Sequence, residues 1–151
     1  MYNYAMRKNI VKMINTKAIL SDPIVVSQPK SISPIIISIP HGGVIVPQQF
    51  TKQLLTTPKK LWSDWYTADL YSFLPELGVT VLKTQLSRFV ADVNRDETTP
   101  AYGPFWKGIV PSTTPAGKEI YSKKLTSTEI NQRIAFAYNP YHKILRGLVS
   151  R

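Results

Sequence analysis

The sequence predicts an α/β fold on three observations. Residues 35–39 read Ile-Ile-Ile-Ser-Ile, the β-branched run of a strand buried on both faces. Trp62, Tyr66, Leu70, Phe73 and Leu77 recur at helical spacing, and a helix is expected over residues 64–77. Gly78 stops that helix as a left-handed cap, and residues 79–82, Val-Thr-Val-Leu, read as the next strand.

The composition sets bounds. A chain of 151 residues with 43% hydrophobic content can build one real core. No apolar run reaches the roughly 20 residues of a membrane span. There is no cysteine, which excludes disulfides and thiolate metal sites and points to a reducing, cytoplasmic setting. The net charge of +10 suits an anionic partner. The lysines are dispersed, however, with no dense arginine tract and no basic–aromatic interleaving, so most read as a solvated surface and nucleic acid is disfavoured, while the net charge also suits a small anionic substrate.

In chain order, residues 1–31 form a basic leader whose only acid is Asp22. Pro23, Pro29 and Pro34 mark extended chain around a short strand at Ile24, Val25 and Val26, and the main domain is expected over residues 32–151. After the isoleucine run, Pro40 ends the ladder because it has no N–H to donate. His41 follows, and Gly42 and Gly43 permit a sharp turn, which sets an imidazole at the carboxyl edge of a sheet, where ligands bind in open α/β folds. A histidine that only caps a turn fits that spacing equally well. Residues 44–47 read as extended and residues 50–55 as a short helix. Pro75 is expected to kink or fray the helix over residues 64–77.

Residues 87–96, S-R-F-V-A-D-V-N-R-D, form the second informative stretch. As a strand they put Arg88, Val90, Asp92 and Asn94 on one face, which makes Arg88 the natural partner of Asp92. That pair is either structural or holds the guanidinium for a ligand carboxylate. Residues 97–118 are rich in Pro and Gly, and Tyr102, Phe105 and Trp106 suit a loop packed over a site. Thr126 and Glu129 resemble a capping box opening a helix through Ile130, Ile134 and Ala137. Pro140 is expected to kink or break it and free the carbonyl of Phe136.

Four motifs, I-S-I-P-H-G-G at 37–43, S-D-W-Y at 63–66, S-R-F-V-A-D-V-N-R at 87–95 and N-P-Y-H at 139–142, together resemble the N-formylglutamate amidohydrolase family in order and spacing. The resemblance implies a mixed sheet flanked by helices, similar to zinc-dependent exopeptidases of the phosphorylase/hydrolase-like kind. It implies hydrolysis of N-formyl-L-glutamate to formate and glutamate, a late step of histidine breakdown, with zinc or another divalent metal. By the same resemblance His41 is the first metal ligand. Asp64 is the preferred carboxylate ligand, with Asp69 second and an N-cap role for Asp64 equally open. Arg88 and Arg95 bind the substrate's carboxylates, Asn94 orients one of them, and Asp92 and His142 support the site.

Family members are longer, with a later D-x-H-S-type histidine and a late glutamate that nothing after His142 matches. The resemblance therefore implies a domain truncated at the C-terminus, lacking its general base, with a separate chain as one source of the missing portion. A non-catalytic pseudoenzyme and, less favoured, a basic nucleic-acid-binding module are the alternative functions.

Overall fold

A computed structural model describes residues 22–29, 34–55, 62–64 and 66–150, so most of the basic leader lies outside the described residues. Three strands form the main sheet: β1 Ile24–Ser27, β2 Ile36–Ile39 and β3 Thr80–Thr84, in the order β1-β3-β2. β1 runs antiparallel to β3, with Val26 opposite Leu82. β2 runs parallel to β3, with Ile37 opposite Val81. The sheet is therefore mixed, as expected.

Alternation along β3 divides the core. Leu82 faces one side with Ile24, Val93 and Tyr141. Val81 faces the other with Ile39 and Val79, and Leu74 packs against them. A third and larger cluster, from Val46 and Phe50 through Phe89, Val110, Ile120 and Tyr138, lies under the long irregular region.

The isoleucine run is not buried on both faces. β2 is an edge strand among the described residues: Ile39 is buried, Ile36 and Ile37 are half-buried, and Ile35 and Ser38 are exposed. Its β-branched residues suit any pleated surface, so composition alone does not separate an edge from a centre.

The helix expected over residues 64–77 is also revised. Only α1 Thr67–Leu70 is α-helical, followed by turns and a 3₁₀ segment at Leu74–Leu77. Pro75 explains the break. In a continuous helix its ring would clash with the carbonyl four residues back, that of Tyr71, and the α-helix ends at Leu70. The stripe of Trp62, Tyr66, Leu70, Phe73 and Leu77 consequently faces solvent. Gly78 is the expected left-handed cap, with φ 81°.

Two further expectations change. Residues 50–55 are not a helix: Phe50 ends a 3₁₀ turn at Gln48–Phe50, and turns follow. Residues 87–96 are turns. Val90 N–H closes one on the Ser87 carbonyl at 2.9 Å, and Asn94 N–H donates to the Asp92 side chain at 3.0 Å. An aspartate carboxylate that captures a nearby backbone N–H offers the chain an alternative to the sheet ladder.

The long region carries a two-residue parallel pair, β4 Tyr102–Gly103 and β5 Val110–Pro111. Thr126 and Glu129 form the expected capping box at α2 Ser127–Arg133. Pro140 does not break the helix that follows. A π-helical turn at Ile134–Tyr138 lengthens the repeat, with Asn139 N–H donating to the Ile134 carbonyl. Pro140 then sits in the first turn of α3 Asn139–Val149, where a missing N–H costs little. α3 lays Tyr141, Ile144, Leu145 and Leu148 against the β1/β3 face. None of the described helices is long and apolar enough to cross a membrane.

Candidate functional site

The site grows from the end of β2. Pro40 and His41 leave the strand in a turn, and Gly43 runs so close to β3's extension that a Cβ there would lie 2.3 Å from the Gln85 carbonyl carbon. Ile45 N–H donates to the Gln85 carbonyl and Ser87 N–H to the Ile45 carbonyl, which clamps the His41 turn beside residues 85–88. Asp64 N–H donates to the His41 carbonyl at 3.0 Å. Three segments distant in sequence thus meet at one imidazole.

His41 is buried, and both of its ring nitrogens face carboxylates. Its Nε2–H donates to Asp92 Oδ1 at 2.6 Å, and its Nδ1 stands 3.5 Å from Asp64 Oδ2. Asp92 is only 1% exposed and is the hub of the cluster. Its Oδ1 also accepts Asn94 N–H, and its Oδ2 lies 3.3 Å from Arg95 Nε. Burial by itself pushes the Asp92 carboxyl up. The hydrogen bond and charge of His41, the Asn94 amide and the Arg88 charge outweigh burial and hold it below the ordinary aspartate value.

Arg88 does not form the expected direct pair with Asp92. Its Nη2 reaches Asp64 Oδ1 at 3.5 Å, and its guanidinium lies 5.2 Å from the centre of the Phe105 ring. The turn that replaces the strand swings Arg88 away, and Asp92 is taken by His41 and Arg95. Burial pulls the Arg88 pKa down, with Asp92 and Asp64 pulling it back up. Arg95 Nη2 donates to the Phe105 carbonyl at 2.9 Å. The loop over residues 97–118 therefore does pack on the site through Phe105, which is buried, while Trp106 stands exposed against its edge.

Asp64 is not an N-cap. The cap position of α1 is Tyr66, with φ 63° and no side-chain cap bond, and the Asp64 carboxylate turns to His41 and Arg88. Asp69 is exposed in α1, and Asn94 exposes its side chain at the rim. His142 is held elsewhere: its Nε2–H donates to the Val93 carbonyl at 3.0 Å and its ring packs 4.2 Å from Tyr138. Burial lowers its pKa. Among the described residues, no group of three or more His, Asp or Glu side chains is arranged to hold a metal.

Two supports escape the sequence reading. Arg133 is buried at 3% exposure, donates to the carbonyls of Phe50 and Phe89, and lies over the rings of Phe50 and Tyr121. Tyr121 donates its hydroxyl to the same Phe89 carbonyl at 3.0 Å, and burial pushes its phenol up to about 12. Both brace the turn that carries Arg88. Arg133 sits in the polar run of a helix, where nothing in the local pattern marks it as internal.

Fold and site define a mixed α/β protein with a histidine–carboxylate–arginine cluster at a strand's carboxyl end. The chain belongs to the N-formylglutamate amidohydrolase family, whose model matches residues 33–151. It is similar to N-formylglutamate deformylases of Pseudomonas putida and Pseudomonas aeruginosa, each 31% identical over 122 residues that cover 78% of this chain and 46% of the relative. The crystal structure of an N-formylglutamate amidohydrolase from Ralstonia eutropha superposes with TM-score 0.69 at 27% identity, covering 85% of this chain and 51% of that one. A gene product of Agrobacterium tumefaciens, at TM-score 0.71 and 17% identity over 88% of this chain and 52% of its own, shares the fold. The chain thus spans about half the length of the curated relatives it matches.

Proposed function

We propose that this chain supplies the first metal ligands and the carboxylate grip of a metal-dependent amidohydrolase. Its substrate is N-formyl-L-glutamate or a similar N-acyl amino acid, cleaved to formate and the free amino acid. One observation carries the reading: His41 stands between Asp92 on Nε2 and Asp64 on Nδ1. Nε2–H donates to the buried Asp92 carboxylate, and an Nδ1 that carries no proton would turn its lone pair toward the Asp64 oxygen. Two electron-pair donors 3.5 Å apart fit a cation between them. Ligands on a tetrahedral zinc with bonds of about 2.0–2.1 Å stand about 3.3–3.4 Å apart, so this pair fits two ligand positions.

A bound divalent ion supplies carbonyl polarisation and an acidified water. The chain's own residues orient the first ligands and bind the substrate. Asp92 fixes the His41 tautomer and ring plane, as carboxylates behind ligating histidines do. Arg88 and Arg95 offer two guanidinium groups, suited to a dianionic substrate, and Asn94 stands at the rim between them in sequence. A histidine of ligand type at a strand's carboxyl end supports the likeness to zinc-dependent exopeptidases, and the lack of cysteine fits a cytoplasmic setting.

A catalytic zinc site takes three protein ligands. We assign the third ligand and the general base to the half of the family's length that this chain does not span, whether continuous with it or on a separate chain. The test has two parts. Zinc content after gentle purification is expected to fall in His41→Ala relative to wild type, and equal zinc in both would overturn the ligand assignment. Formate release from N-formylglutamate by this chain alone, with zinc supplied, is expected to fall short of a complete enzyme by at least the ~10²–10⁴-fold that a general base contributes. Robust turnover lost in His41→Ala would overturn the incomplete site and support a second copy of this chain or His142 completing it.

A further inference from the structure

The two oxygens of Asp92 serve different parts of the site. Oδ1 holds His41 Nε2–H at 2.6 Å with support from Asn94 N–H, and Oδ2 faces Arg95 Nε at 3.3 Å. The two links differ in kind. The first is a short, buried hydrogen bond. In the second, Arg95 Nε is buried and has no hydrogen-bond partner, so charge alone holds Arg95 to Asp92. The fixed contact of Arg95 is to the Phe105 carbonyl through Nη2. A guanidinium carries five N–H donors, which leaves others for a ligand.

We propose that Asp92 couples the carboxylate grip to His41, so that a ligand carboxylate arriving on Arg95 moves Asp92's interaction from the arginine to the imidazole. This rests on the reading of Arg95 as a carboxylate-binding residue. Before a ligand arrives, Arg95 and His41 compete for one buried negative charge. A ligand carboxylate on Arg95 partly neutralises the guanidinium and weakens its pull on Oδ2. Asp92 then bears more fully on the Nε2–H bond, which makes Nδ1 the better electron donor. Linkage is reciprocal: a cation on Nδ1 polarises Nε2–H, draws Asp92 toward the ring and frees Arg95 for an anion. The coupling makes Asp92 a positioning residue that reports occupancy of the substrate end to the ligand end.

The chain contains only two histidines, so their ring resonances separate the cases. The ¹⁵N-labelled chain is titrated with glutarate, a dicarboxylate with no scissile amide, at constant pH and ionic strength and without metal. The Arg95 side-chain signal reports binding, and the His41 ring nitrogens report coupling. In wild type the His41 signals are expected to move with the same midpoint as Arg95, and by more than those of His142. In Asp92→Asn the Arg95 signal is expected to move while His41 stays still. A stationary His41 in wild type at saturating glutarate overturns the coupling while leaving the binding assignment intact. Equal movement of His41 in wild type and Asp92→Asn overturns it too. No response of Arg95 in wild type overturns the carboxylate grip itself and the coupling with it. If Asp92→Asn does not fold, the wild-type titration still decides by the first and third outcomes.

Discussion

Asp64 is tied to His41 twice: its N–H donates to the His41 carbonyl at 3.0 Å, and its carboxylate returns to Nδ1 of the same residue at 3.5 Å. The backbone bond sets the distance, and the side-chain contact uses it. Asp64 is more exposed than His41, so a solvent-borne cation can approach the pair from its side.

Metal retention is the first expectation. Asp64→Asn removes the charge that faces Nδ1 but keeps the backbone tie, and zinc affinity measured against a chelator is expected to weaken. Asp92→Asn leaves both proposed ligands in place and removes only the carboxylate behind the ring. Loss of such a partner weakens metal binding about 10–100-fold. Unchanged affinity in both variants would count against the pair.

Asp92 should also matter to folding. Asp92→Ala leaves the buried His41 Nε2–H and Arg95 without their anion, at an expected cost of about 3–5 kcal/mol in urea unfolding near neutral pH. The folded-state pKa of Asp92 is depressed. Its contribution is therefore present above the unfolded value of about 3.9 and is lost as pH falls from there through the lower folded value. The stability gap between wild type and Asp92→Asn should shrink as pH drops below about 4. A gap equally wide at strongly acid and neutral pH would show that the charge is not what stabilises.

Two glycines should respond in opposite directions. A Cβ at Gly43 would lie 2.5 Å from the Leu86 oxygen and 2.3 Å from the Gln85 carbonyl carbon, both main-chain atoms that cannot turn aside. Gly43→Ala is expected to cost about 3 kcal/mol or more and to disturb the His41 turn. Gly147 lies in α3, and a methyl group added to it would meet nothing within 4 Å. Gly147→Ala should stabilise by about 0.5–1 kcal/mol. Thermal unfolding of the two variants beside wild type checks both signs.

The capping box offers a milder case. Thr126 accepts the Glu129 N–H, and Glu129 accepts the Thr126 N–H. Thr126→Ala should lower stability by about 1 kcal/mol, read as a shift of the urea midpoint with an unchanged slope.

Much of the fold is legible in the sequence because it depends on local chemistry. The capping box at Thr126, the left-handed Gly78 and the short strand at Ile24 each follow from a few adjacent residues, and all three are present in the fold. The candidate site is legible as a set of residues but not as a set of partners. His41, Asp64, Asp92 and Arg95 stand out in the sequence and do meet; spacing pairs Arg88 with Asp92, whereas Arg88 meets Asp64. Asp69, Asn94 and His142 do not join the ion pairs around His41. Even spacing assigns a face only if the segment is a strand, and here the chain turns instead, at Ser87–Val90 with Val90 N–H on the Ser87 carbonyl and at Asp92–Asn94 with Asn94 N–H on the Asp92 side chain.

The sequence by itself determined the strand-ending Pro40-His41-Gly42-Gly43 turn and the α/β character, because proline, glycine and β-branched residues act on their own backbone. Only the tertiary structure decided that β2 lies at an edge, that the apolar stripe from Trp62 to Leu77 turns outward, and that one buried carboxylate serves both His41 and Arg95. Those outcomes depend on which segments compete for the same neighbour. Asp92 could have gone to either arginine, and the 2.6 Å bond from His41, 51 residues away in the chain, fixed its place.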